Sequence, residues 1–165
     1  MNLNNLQTLE DFRFCAKKKL PKMVFGYIDG SAGDGLADKR NSLSFKKLLL
    51  QPKTLLNVKN RNQSKKINNQ EFNYPFGIAP MGLCNVSNPK ADIMLAQSAN
   101  KQNIPLCVST AASSSVEEIY KIASKNVWFQ LYMGSSIENT LKLVKRVERA
   151  GVENLIISVD VPAPG

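Results

Sequence analysis

Two hydrophobic periodicities divide the chain. The first third spaces its apolar residues for helices, and from residue 71 short apolar runs alternate with amphipathic stretches. Thr8-Leu9-Glu10-Asp11 opens a helix with an N-cap and early acidic residues, and Pro21 stops it. Pro21 then serves as first residue of a second helix through Met23, Val24, Tyr27 and Ile28, which the Gly30-Ser31-Ala32-Gly33-Asp34-Gly35 run breaks. A third helix is predicted from about Leu36 to Leu49, ahead of Gln51-Pro52. Residues 53–70 are polar and rich in Lys and Asn, and read as an irregular or weakly stranded connection. Beyond them, strands are predicted over Tyr74–Pro80, Ile104–Val108, Val127–Met133 and Leu155–Val159. Helices are predicted over Pro89–Asn103, from Ser114 or Ser115 (a capping box with Glu117 and Glu118) to about Ser124, and over Ser136–Ala150. The last carries Ile137, Leu141, Val144 and Val147 on one stripe and stops at Gly151.

Four strands alternating with three helices, at spacings suited to βαβ units, predict an α/β fold with a parallel sheet. A doubly wound sheet and a (β/α)8 TIM barrel both fit. No G-x-G-x-x-G follows a strand, which weakens a dinucleotide-binding sheet. Every strand ends in polar or special residues: Pro80-Met81-Gly82, Ser109-Thr110, Gln130 with Tyr132, and Ser158 with Asp160. Barrel enzymes build their sites at that face. A barrel typically needs ~250 residues and eight strands, so the expectation is the N-terminal half of one. Residues 1–70 form a helical segment and connection, and residues 71–165 hold the first four barrel strands. Gln130 and Tyr132 lie two apart on one strand and so share a face. They satisfy neighbouring backbone, or they face a ligand.

Composition narrows the partners. The net charge of +9 is concentrated in residues 1–70, which hold 14 Lys/Arg against 5 Asp/Glu, while residues 71–165 hold 8 of each. The lysines are not interleaved with stacking aromatics, so a nucleic-acid partner is not expected. A solvated basic face is the plain reading, and peripheral contact with an anionic membrane is left open. No apolar run approaches a membrane span, and Met1–Glu10 lacks a signal core. Cys15, Cys84 and Cys107 lack paired spacing and suit a reducing cytoplasm; neither a disulfide framework nor a metal site is expected. The chain has no histidine, so the commonest general base is missing from it.

In order and spacing the motifs resemble the FMN-dependent α-hydroxy acid dehydrogenase/oxidase family, which includes glycolate oxidase, L-lactate dehydrogenase and mandelate dehydrogenase. Leu20-Pro21-Lys22-Met23-Val24-Phe25-Gly26-Tyr27 with Gly30-Ser31-Ala32 resembles its N-terminal helix and the segment after it. Asn41-x-x-x-Phe45 with Pro52 is similar to its Asn-x-x-x-Phe…Pro-Arg stretch, with Lys53 in place of the Arg. Ile78-Ala79-Pro80-Met81-Gly82, Ser109-Thr110 with Ser114-Ser115-Val116-Glu117-Glu118, Phe129-Gln130-Leu131-Tyr132 and Ser158-Val159-Asp160-Val161-Pro162 resemble its first four strand ends.

The resemblance implies roles. Pro80, Met81 and Gly82 lie against the flavin, with backbone N–H groups near its N5 edge. Ser109 and Gln130 bond its pyrimidine side, and Ser158, where the family usually has Thr, keeps the hydroxyl for the same work. Tyr132 and Tyr27 meet the substrate, Tyr132 at the reacting oxygen and Tyr27 at the carboxylate. Asp160 orients the catalytic base. The implied reaction takes a small 2-hydroxy acid to the 2-oxo acid. Its His base, Arg clamp, flavin Lys and phosphate anchor are expected after Gly165, so the 165 residues alone are expected to be inactive. A non-catalytic fragment or pseudoenzyme acting as a binding or assembly piece is the alternative. Full-length members imply a homotetramer, cytoplasmic, with peripheral contact at the inner membrane face left open.

Overall fold

The computed structural model describes residues 6–159. It divides into two compact units, residues 1–60 and residues 61–165. In the first, α1 (Leu9–Lys19) begins with a reciprocal cap. Asp11 N–H donates to Thr8 Oγ1 at 3.2 Å, and Thr8 N–H donates to Asp11 Oδ2 at 2.8 Å. The Thr8 N–H, then the Thr8 hydroxyl and the Gln7 N–H, donate to the Asp11 carboxyl and hold it below the usual range. α2 (Lys22–Asp29) starts one residue later than expected, because Pro21 stands before its first turn rather than inside it. Arg13 pairs with Asp29 and so ties α1 to α2. α3 (Leu36–Lys46) begins after Gly35, whose φ of +74° suits glycine, and ends three residues short of the expected Leu49.

The second unit opens with a hairpin where an irregular or weakly stranded connection is expected. β1 (Lys65–Ile67) and β2 (Gln70–Phe72) pair antiparallel, with Ile67 opposite Gln70. Asn68 and Asn69 form the two-residue turn at φ +49° and +63°. Both φ values are positive, as a type I′ turn requires, and Asn tolerates that region better than most residues. The Lys/Asn-rich composition hid this signal.

The core is a parallel sheet of β3 (Leu106–Ser109), β4 (Val127–Tyr132) and β5 (Leu155–Ser158), in that order. α4 (Ala91–Gln102) leads into β3, α5 (Val116–Ala123) joins β3 to β4, and α6 (Ile137–Arg149) joins β4 to β5. The fold is α/β and corresponds to part of a (β/α)8 barrel, as expected. One expectation fails: Tyr74–Pro80 is not a full buried strand. Only Ile78 bridges to Leu106, donating to Pro105 O at 2.8 Å and accepting from Cys107 N–H at 3.0 Å. Pro75 and Pro80 carry no N–H to extend the ladder, and Phe76 is exposed.

Alternation on β4 sorts the two faces of the sheet. Val127, Phe129 and Leu131 are buried in one cluster with Ala96, Ala99, Ile119, Ala123 and Val147 of the helices. Trp128, Gln130 and Tyr132 take the opposite face. Ser115 and Ser136 cap α5 and α6, accepting from Glu118 N–H and Asn139 N–H. After α6, Gly151 has φ +99°, and a Cβ there would sit 2.6 Å from the Tyr120 ring. At the N-terminal ends of the strands the hairpin is stitched to three asparagines. Asn103 Nδ2 donates to Glu71 O, Gln70 Nε2 to Asn126 Oδ1, and Asn68 Nδ2 to Asn154 Oδ1. The Asn126 contact matters most, because Asn126 is buried.

Candidate functional site

Parallel pairing brings the C-terminal ends of β3, β4 and β5 together, and polar residues occupy all three. Ser109 stands opposite Gln130, and Tyr132 opposite Ser158. Ser109 Oγ donates to Gln130 Oε1 at 3.1 Å, and Gln130 Nε2 donates to Ser158 Oγ at 2.9 Å. Ser109 Oγ also accepts from Ala111 N–H at 3.1 Å. A continuous hydrogen-bonded row therefore crosses three strands. Ser109 and Gln130 are buried and Ser158 is half-buried. A primary amide offers two N–H donors and two lone pairs. Gln130 spends one of each on the serines, so one donor and one acceptor remain side by side. That pair matches the edge of a flat heterocycle in which carbonyl and N–H alternate. No member of the row is ionisable near neutral pH, so it can position a planar polar ligand but supplies no base.

Thr110, just past the end of β3, fixes the backbone around that row. Its N–H and its Oγ1 both donate to Gln130 O, at 3.0 and 2.6 Å. The same Oγ1 accepts from Tyr132 N–H at 3.1 Å. The hydroxyl thus bridges the two peptides flanking Leu131 and continues the β3–β4 pairing one residue further. Tyr132, 45% exposed, is held by its backbone while its ring stands free to meet a ligand. In the sequence Thr110 stands out only as a strand-end residue beside Ser109. Its spacing from Ser109 was the available signal.

Pro80, Met81 and Gly82 lie in the loop after the Ile78 bridge. Pro80 and Met81 are exposed and Gly82 half-buried. The position a Cβ would take on Gly82 is 3.2 Å from the Ala111 Cβ. Gly82 therefore lets this loop pack on the loop after β3, a closer reason for glycine than ligand approach alone. Below it, burial pushes the Cys84 thiol up to about 11, with Asp92 adding to the effect. Burial alone does the same for Cys107. Neither is a ready nucleophile at neutral pH.

Of the residues singled out in the sequence, Ser109 and Ser158 each bond Gln130 directly, and Tyr132 is the partner of Ser158 in the β4–β5 ladder. Tyr27 is 65% exposed on α2, in the other compact unit. Asp160 lies outside the described residues. Among the described residues no group of His, Cys, Asp and Glu is arranged to hold a metal. None of their helices is long and apolar enough to cross a membrane.

The family model for FMN-dependent dehydrogenase matches residues 16–165. An L-lactate dehydrogenase of Xanthobacter autotrophicus is 31% identical over 160 residues, covering 97% of this chain and 41% of the relative. Among solved structures, a soluble mutant of the membrane-associated (S)-mandelate dehydrogenase from Pseudomonas putida superposes with a TM-score of 0.90 at 34% identity. It covers 98% of this chain and 46% of that one. The recombinant flavin-binding domain of baker's yeast flavocytochrome b2 gives a TM-score of 0.91 at 30% identity, covering 100% of this chain and 44% of that one. The chain spans less than half the length of these relatives.

Proposed function

Because the chain belongs to the FMN-dependent dehydrogenase family, whose cofactor is FMN, we propose that the protein serves FMN-dependent oxidation of a small L-2-hydroxy acid, lactate-like, to the 2-oxo acid. The observation that carries this reading is the Ser109–Gln130–Ser158 row across three strand ends. Its unspent amide donor and acceptor fit the pyrimidine edge of an isoalloxazine, where carbonyl and N–H groups alternate. FMN, when bound, supplies the acceptor for the two electrons leaving the substrate's α-carbon.

The chain's own residues position and polarise. Ser109, Gln130 and Ser158 hold the pyrimidine side of the cofactor, and the Pro80-Met81-Gly82 backbone lies along the N5 side. The Tyr132 hydroxyl donates to the substrate's reacting oxygen, and stabilises charge that develops there. The Tyr27 hydroxyl donates to the substrate carboxylate, and Asp160 orients the base. Since the chain has no histidine, the His base comes from other sequence, and the family resemblance implies the same for the carboxylate clamp and the phosphate anchor. Residues 1–165 alone neither turn over nor hold FMN tightly.

The missing histidine also supports a second reading, in which these residues form a non-catalytic binding or assembly piece. In the first reading the working form is a homotetramer in the cytoplasm, as the motif resemblance to the family implies. The basic residues 1–70 and a membrane-associated relative support peripheral contact at the inner membrane face.

A graft separates the readings: residues 1–165 replace the matched part of the P. putida (S)-mandelate dehydrogenase. The enzyme reading predicts a yellow graft that oxidises mandelate or lactate with an artificial electron acceptor. A graft that folds without FMN and without turnover contradicts it. For residues 1–165 alone, an FMN titration giving a Kd of about micromolar or tighter would contradict the weak-binding part.

A further inference from the structure

The buried carboxylate of Asp92 is unused by the site just described. It sits in the first turn of α4, where a carboxylate commonly caps its own helix. Here α4 has no side-chain cap, and the carboxylate reaches across to the loop after β3 instead. Asp92 Oδ2 accepts from Ser113 N–H at 2.8 Å and from Ser114 N–H at 2.9 Å. Asp92 is 5% exposed, so these bonds are shielded from water and the charge strengthens both.

The loop it holds is the one on which the Met81–Asn85 segment leans. Leu83 N–H donates to Ala111 O at 3.0 Å, and Asn85 N–H donates to Ser113 Oγ at 3.2 Å. Asn85 Oδ1 in turn accepts from Asp92 N–H at 3.3 Å, which closes a ring of contacts. Leu83 is held at φ +55°, an uncommon region for leucine that persists only where the surroundings over-determine it. Gly82 packs on Ala111 between these bonds.

We propose that Asp92 is a positioning residue: through the loop at residues 109–114 it sets the backbone of Met81, Gly82 and Leu83 that faces the cofactor. This rests on the FMN reading for its functional meaning, while the mechanical coupling stands independently of it.

The test compares amide hydrogen exchange in the 15N-labelled chain and its Asp92→Ala variant, then records amide shifts on adding FMN, a readout that tolerates weak binding. The expected result is exchange about tenfold faster at Ser113, Ser114 and Leu83 in the variant, with Val108 and Phe129 unchanged. Gly82 and Ser109 shift with FMN in the parent, and the Gly82 shift is lost in the variant. Faster exchange at Ser113 and Ser114 alone, with Leu83 unaltered, overturns the proposal, since Asp92 would then be only a local cap. Uniform acceleration, core included, also overturns it. If Leu83 responds while the parent shows no FMN shifts, the coupling is supported and its assignment to the flavin falls. Asp92→Asn, which keeps one acceptor and the shape, gives the same comparison in milder form should Asp92→Ala not fold.

Discussion

At the scale of single residues, Thr110 and the two inner cysteines yield the clearest expectations. The Thr110 hydroxyl is both donor to Gln130 O and acceptor from Tyr132 N–H. Thr110→Val keeps the shape and removes both bonds. Chemical denaturation is expected to show a loss of about 1–2 kcal/mol, with Thr110→Ser close to the parent. A Thr110→Val variant as stable as the parent would show that the hydroxyl holds nothing. The thiols of Cys84 and Cys107, pushed up to about 11, set an alkaline limit. An unfolded chain ionises its thiols near the ordinary value, so the folded form gains stability that is full below pH 9.0. That contribution is lost as the pH rises towards 11. Urea midpoints of the parent should therefore fall more steeply over that window than those of a Cys84→Ala, Cys107→Ala double variant. Equal slopes would contradict the assignment. Gln130 and Tyr132 could be picked out in the sequence because polar side chains on an apolar strand demand partners, whereas Ser109 stood out only as a polar strand end and through the motif resemblance. Asp92 could not, because one carboxylate in a helix's first turn reads as a dipole or cap residue.

At the scale of elements, caps and stops were legible and the weak strands were not. Thr8, Ser115, Ser136 and Gly151 do what their chemistry predicts. The hairpin of β1 and β2 was hidden because its Lys-Lys and Gln-Glu residues lack the apolar alternation that marks a strand. Its contribution comes from tertiary contacts: Phe72 is fully buried and meets Trp128 edge-on, with centroids 6.2 Å apart. Asn126 joins this hairpin to α4, accepting from Gln70 and donating to Ala99 O at 3.2 Å. Asn126→Leu removes both bonds; Ala99 O keeps the Ile104 N–H at 3.1 Å, while Gln70 Nε2 loses its acceptor. The expected loss of stability in thermal or urea unfolding is about 1–2 kcal/mol. A neutral outcome would show that the stitch at the N-terminal end of the sheet is dispensable. The first barrel strand was overread for the opposite reason. Its apolar run predicted burial, but its two prolines leave a single bridge at Ile78.

At the scale of the whole molecule, alternating strands and helices made the α/β architecture readable, and the polar strand ends both favoured a barrel and marked the face where Ser109, Gln130 and Ser158 meet. The arrangement of the two compact units could not be read from periodicity, since helices such as α1–α3, with no buried residues, carry no pattern that names a neighbour. The central claim is that Gln130 presents an amide to the flavin's pyrimidine edge. Its most direct test is the FMN dissociation constant of the graft, parent against Gln130→Leu, with thermal melts to confirm folding. Binding weaker by about tenfold or more is expected, because the flavin and both serines lose a buried partner. An unchanged constant in a folded Gln130→Leu graft would show that the row only joins strands, and would contradict the claim.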